Sequence, residues 1–195
     1  MSESVIRIAS IYPTLLGTYG DGGNVLALKH RAGLHGLVTD VVDVSPGEPL
    51  PRDCDLYVLG GGEDTAQVAA ADSLRADGGL TQAVDRGAAV LAICAGYQLI
   101  GREFPDATGA PSAGVGILDI RTDRLPKRAV GELLTRPDPQ APAGLTDLLT
   151  GYENHAGATH LGPDARPLAQ VEFGVGNGDV SEGAINGHVM GTYLH

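Results

Sequence analysis

Cys94 is the residue on which covalent chemistry in this chain would turn. It stands in VLAICAGYQLIG, residues 90–101, where a run of branched apolar residues meets a cysteine and then two small residues. Val90 to Ile93 has the length and composition of a buried strand, and Tyr97 to Ile100 reads as the opening of a helix. A thiol on such a strand-to-helix turn is held up at the sheet's edge, in the layout of a nucleophile elbow. Small core filler is the competing reading, since a free cysteine is among the most buried residue types. Cys54, in RDCDLYVLGGGED, enters a strand among polar neighbours with no helix opening behind it, and reads as structural.

A thiol nucleophile needs a base and donors for a developing oxyanion. Six histidines are available. His30 and His35 lie on or just beyond an amphipathic helix and are expected to face solvent. His155 and His160 fall in YENHAGATHLG, and His188 and His195 bracket VMGTYL. His195 would emerge beside Cys94 if its strand runs parallel to the cysteine's; otherwise it is an exposed terminal side chain. Gly60-Gly61-Gly62 offers backbone amides at a neighbouring strand end. A tight turn and a phosphate cradle are the other readings of three glycines, although no Lys-Ser/Thr pair follows as a nucleotide P-loop requires.

The elements that must position these groups alternate. VIRIASIYP (5–13) reads as a strand, NVLALKHRAGLHG (24–36) as a helix closed by Gly36, and VTDVVDV (38–44) as a second strand. CDLYVLGGGED (54–64) is a third strand, residues 65–86 are helical with a break near Gly78-Gly79, and the Cys94 strand and helix follow. This alternation predicts an α/β fold, a mostly parallel sheet with helices on both faces, whose ligands gather at the strands' carboxyl ends. Beyond residue 110 short β-like runs separated by Gly, Pro and Asn take over. They are expected to fold onto the same sheet, with RPDPQAPAG (136–144) as a surface loop.

At 195 residues the chain is sized for one domain. Its net charge of −11, with two lysines, argues against a nucleic-acid partner. Arg7 interrupts the first apolar run and no stretch reaches membrane-spanning length, so neither a secretory leader nor membrane insertion is expected. Two cysteines in such unlike contexts do not make a disulfide framework, which fits a reducing cytoplasm.

AICAGYQLIG, GGGED, YENHAG and GTYLH, in this order and spacing, resemble the class I glutamine amidotransferases, in the branch of the cobyric acid synthase glutaminase domain. The opening IYPTLLGTYGDGGNVLALKHRA is similar to the free-standing glutaminase subunits of that branch that serve lipid II amidation. The resemblance covers nearly the whole chain. It implies a flavodoxin-like amidotransferase fold over 1–195 and hydrolysis of L-glutamine without cofactor or metal. It further implies a heterodimer with a Mur-ligase-like, MurT-type subunit; the glutaminase part of a cobyrinic or cobyric acid amidating enzyme is the alternative. Cys94 then matches the nucleophile, His195 the base, and the Gly61 and Ala95 amides the oxyanion hole. Arg128, in PKRAVGE, matches the glutamine-gripping position, where a guanidinium takes a carboxylate bidentately; a solvated arginine beside Lys127 is the other reading. Gln98, Asn154 and His155 are expected as pocket walls. Many class I members carry a glutamate two residues after the histidine, and none follows His195. A Cys–His dyad is therefore expected unless an acid arrives from elsewhere, the partner being the expected source. Family chains normally continue well past this histidine, so the sequence is expected to stop short of the family's usual end.

Overall fold

A computed structural model of the chain describes residues 5–17, 20–141 and 144–195. Thr18 and Tyr19, in the opening stretch, and Pro142 and Ala143, in the proline-rich loop, lie outside the described residues. The first half alternates as expected: β1 (Val5–Ile11), α1 (Gly22–Leu34), β2 (Val38–Val44), β3 (Leu56–Leu59), α2 (Asp64–Asp77), α3 (Gly79–Asp85), β4 (Ala89–Ile93) and α4 (Ala95–Leu99). The helical break falls at Gly78, which takes the left-handed conformation (φ 67°) that glycine adopts without a Cβ clash.

These strands belong to a six-stranded sheet. Its remaining strands are β11 (Ala184–Asn186) and β12 (Val189–Thr192), in the order β11-β12-β4-β3-β1-β2. All neighbours are parallel except the β11–β12 pair. Alternate residues face opposite layers. Ile8 and Val58 pack on Val25 of α1, whereas Ala9, Ile11, Tyr57 and Leu59 join Ala70, Ala71, Leu74, Leu80 and Ala83 of α2 and α3. Both faces are covered, so β3 and β4 read as continuous apolar runs, with β1 interrupted by Arg7 and Ser10.

The C-terminal half corrects one expectation. Most of its strands do not join the first sheet but build a second one. That sheet comprises β5 (Glu103–Pro105), β6 (Pro111–Ala113), β7 (Ile120–Pro137), β8 (Leu149–Leu161), β9 (Ala169–Phe173) and β10 (Ser181–Glu182). β7 and β8 are long antiparallel partners, and β8 buries Glu153, His155, Gly157 and Thr159 in strict alternation. A period of two tells which face is buried but not which sheet the strand joins. β7 also runs through Arg136 and Pro137, so the surface loop begins two residues later than expected. No described helix is long and apolar enough to cross a membrane.

Candidate active site

Cys94 stands where the elbow reading places it. β4 lies between β3 and β12 in parallel register, with Ile93 opposite Thr192. The Cys94 amide donates to the Thr192 carbonyl at 2.8 Å, and α4 starts at the next residue. Between strand and helix Cys94 takes φ 53°, ψ −109°, outside the regions a side chain normally prefers. Only Cys94 and Tyr12 among the described non-glycine residues have positive φ. Cys94 is 5% exposed and its thiol points toward the Asn154 carbonyl at 3.9 Å.

Because β12 runs parallel to β4, the residues after it leave the sheet at the same edge as Cys94. The tail is anchored on the way: Glu182 Oε1 accepts from the Tyr193 amide (2.6 Å) and the Thr192 hydroxyl (2.8 Å), and the His195 amide donates to the Tyr152 carbonyl (2.9 Å). Burial pushes the Glu182 carboxyl up to about 7 against the pull of those donors. His195 thereby comes to lie beside Cys94, both side chains bordering the space a Gly61 Cβ would fill.

The other face of the imidazole meets a residue the sequence did not single out. His195 Nδ1 lies 3.0 Å from Asp21 Oδ1, and Asp21 Oδ2 accepts the Gly61 amide at 2.6 Å. Asp21, 5% exposed, precedes α1. The three glycines admit this arrangement. A Cβ on Gly60 would fall 2.6 Å from the Asp21 Cβ, and one on Gly61 would lie 3.0 to 3.3 Å from His195, Asp21 and Cys94 at once. Burial disfavours a charged imidazole, but Asp21 and the neighbouring Cys94 outweigh it, and His195 is raised to about 9. The Cys94–His195 pair expected from the sequence thus has a carboxylate from the chain's own first half beside it. The Gly61 amide, matched to the oxyanion hole by resemblance, is occupied by Asp21 here; an oxyanion reaches it only by displacing Oδ2. Ala95, the other matched donor, opens α4 in the cleft floor.

The thiol opens onto a cleft whose walls include Gly62, Gln67, Gln98, Arg128, Asn154 and His155. Arg128 arrives there because β7 bulges: Arg124 pairs with Gly157 and Ala129 with His155, so four residues of β7 face Ala156. The bulge turns the guanidinium back over the cleft. Its Nε donates to Asn154 Oδ1 at 2.7 Å and an Nη to the Asn154 carbonyl at 3.2 Å. Gln98 is a wall held from both sides, accepting from Gln67 Nε2 at 2.9 Å and donating to the Tyr193 hydroxyl at 3.1 Å. His155 is a buried support. It stacks on Tyr193 with ring centroids 3.6 Å apart, its Nε2 lies 3.2 Å from Glu153, and burial lowers its pKa. His30 and His35 are exposed, and Cys54 is buried at the sheet's far end with its thiol pushed up by burial.

Residues 7–195 match the model of the CobB/CobQ-like glutamine amidotransferase domain. The chain belongs to that amidotransferase family. It is 34% identical over 184 residues, 92% of its length, to the lipid II isoglutaminyl synthase (glutamine-hydrolyzing) subunit GatD of Staphylococcus aureus, and covers 72% of that protein. The subunit of the same name from Streptococcus pneumoniae is also 34% identical, over 97% of this chain and 73% of its own. Cobyric acid synthase of Brucella canis is 40% identical over 168 residues, 80% of this chain but 32% of the synthase. Among solved structures, a glutamine amidotransferase from Thermotoga maritima superposes with a TM-score of 0.67 at 18% identity, over 97% of this chain and 75% of its own. The glutaminase domain of a Trypanosoma brucei CTPS, crystallised with acivicin, gives 0.58 at 12% identity, over 97% and 85%. These two likenesses establish the amidotransferase fold.

Proposed function

We propose that this amidotransferase is the glutamine-hydrolysing subunit of an enzyme that amidates the D-glutamate of lipid II. The observation that carries the hydrolytic part is Cys94 on its strained elbow, beside an imidazole whose Nδ1 is held by Asp21. Cys94 gives its thiol proton to His195 as its sulfur attacks the side-chain amide carbon of glutamine, and the tetrahedral intermediate draws on the Ala95 amide, with the Gly61 amide held by Asp21. The carbon–nitrogen bond breaks as the His195 imidazolium gives its proton to the departing nitrogen, leaving ammonia and a glutamyl thioester. Neutral His195 then takes a proton from water, whose oxygen attacks the thioester and releases glutamate and the thiol. Arg128, released from Asn154, is placed to take the substrate's α-carboxylate, with Gln98, Asn154 and His155 as walls.

The acceptor rests on the two GatD relatives, which match nearly all of this chain and nearly three quarters of themselves. We assign ammonia to a Mur-ligase-like, MurT-type partner that activates the acceptor carboxylate with ATP, in the cytoplasm. The higher identity to cobyric acid synthase favours a corrin acceptor as the second reading, although the chain spans a third of that protein. The experiment is reconstitution with a Mur-ligase-like subunit of the same organism, glutamine, ATP and lipid II. Conversion of one lipid II carboxyl to a carboxamide, read by mass, is the expected result. Amidation of a corrin acid and not of lipid II would transfer the assignment to the second reading.

A further inference from the structure

We propose that Asp21 is the positioning acid of this site, orienting His195 toward Cys94 with one carboxylate oxygen while the other fixes the Gly61 amide. The proposal rests on reading Cys94 and His195 as the reacting pair. Its first support is placement: Asp21 is buried, 174 residues from His195 in sequence, and within hydrogen-bond distance of its Nδ1. The second is that Asp21 gives up the role its position offers. An aspartate before the first turn of a helix ordinarily accepts an amide of that turn, worth about 1 kcal/mol. Asp21 makes no side-chain cap bond to α1 and turns its carboxylate into the site instead.

The third support is chemical matching. The three groups that Asp21 faces, the Gly61 amide, the imidazole Nδ1–H and, more distantly at 3.4 Å, the Asn24 Nδ2 of α1, are all donors. A carboxylate presents acceptors on both oxygens and satisfies them together. A carboxamide of the same shape has one acceptor and one donor, so it must oppose one of them. With Nδ1–H bound to Asp21, Nε2 is the nitrogen left for the thiol, which is the orientation proton exchange with Cys94 requires. Among the ionisable groups the imidazole meets are Asp21, from the segment before α1, and Cys94, from the β4–α4 turn. An acid from the opposite end of the chain thus stands where many family members use a glutamate next to the histidine.

The test compares the chain with its Asp21→Asn variant, both in a Cys54→Ser background so that one thiol remains. Three readouts are taken: the His195 titration by NMR, the rate of Cys94 alkylation by iodoacetamide at neutral pH, and glutamine hydrolysis. The variant should titrate His195 at least one unit lower, alkylate about tenfold more slowly, and turn over glutamine roughly 10³–10⁴-fold more slowly with KM nearly unchanged. A variant of unchanged melting temperature whose His195 titration and alkylation rate equal the parent's overturns the proposal. If the variant fails to fold, the parent decides: His195 titrating near its ordinary 6.5 overturns the proposal, and titration near 9 supports it. Shifted titration and alkylation in a chain whose parent never hydrolyses glutamine would support Asp21 and overturn the glutaminase reading.

Discussion

Two buried histidines sit at this site, each beside a carboxylate, and they behave oppositely. His195, on Asp21, is raised to about 9, whereas His155, on Glu153, is lowered. Burial opposes the charge in both. The difference lies in what else each pair must satisfy. Glu153 accepts the Val175 and Gly176 amides as well, and His155 lies mid-strand against a carbonyl and an aromatic ring. His195 lies past a strand end, with a carboxylate on one nitrogen and a thiol nearby. A histidine–carboxylate pair inside a sheet is therefore a structural strut, and the same pair at the sheet's edge holds a proton ready for transfer.

The sharpest break of this comparison is Cys94→Ser, which should abolish glutamine hydrolysis and labelling by a glutamine-like diazo ketone. It should also lower the His195 titration and leave that of His155 in place. Cys54→Ser should leave activity and labelling nearly intact, and equal labelling of both cysteines in folded protein would refute the assignment. Next in size, His195→Ala should cost turnover roughly 10⁴-fold or more with a small change in melting temperature. His155→Ala should instead lose about 2–4 kcal/mol of stability, measured by denaturant unfolding. Similar stability losses in the two variants would erase the distinction.

Much of this was legible in the sequence, for a physical reason. Apolar runs punctuated by glycine mark β1 through α4, and a cysteine between a strand and a helix already reads as an elbow. The second sheet was not legible as a separate layer, because alternation along β7 and β8 fixes a buried face and leaves the neighbouring sheet unspecified. Asp21 was missed because GDGGN reads locally as a helix start, and its partners are remote in sequence. The signal present was three glycines at 60–62 with no phosphate motif after them; such a stretch needs another segment pressed against it.

Arg128→Lys probes the second sheet's contribution. The bulge-borne guanidinium should hold the substrate carboxylate by about 1.5–3 kcal/mol, so the substitution should raise KM for glutamine at least tenfold with kcat less affected. Unchanged kinetic constants would leave Arg128 as a surface charge bound to Asn154. The remaining effects concern stability and pH. Folded His195 titrates near 9, above its ordinary 6.5, so its contribution, on the order of 3 kcal/mol, is present below 6.5 and lost as pH rises through 9. Glu182, raised from 4.5 to about 7, has the same sign in a lower window. His155, lowered, has the opposite sign and weakens the fold as pH falls through its folded value. Glu182→Gln should flatten stability between pH 4.5 and 7 and leave the alkaline decline intact; unfolding curves across that range check both.

The register of β12 on β4 carries a consequence for timing. The thiol and its elbow come early, while the imidazole arrives on β12, far along the chain from β4, and loop closure over such a span comes late in assembly. Until β12 docks, Cys94 is an ordinary thiol with no base beside it. Reactivity at Cys94 is thus a product of completed folding, and a half-folded chain is spared the self-inflicted chemistry of an activated sulfur.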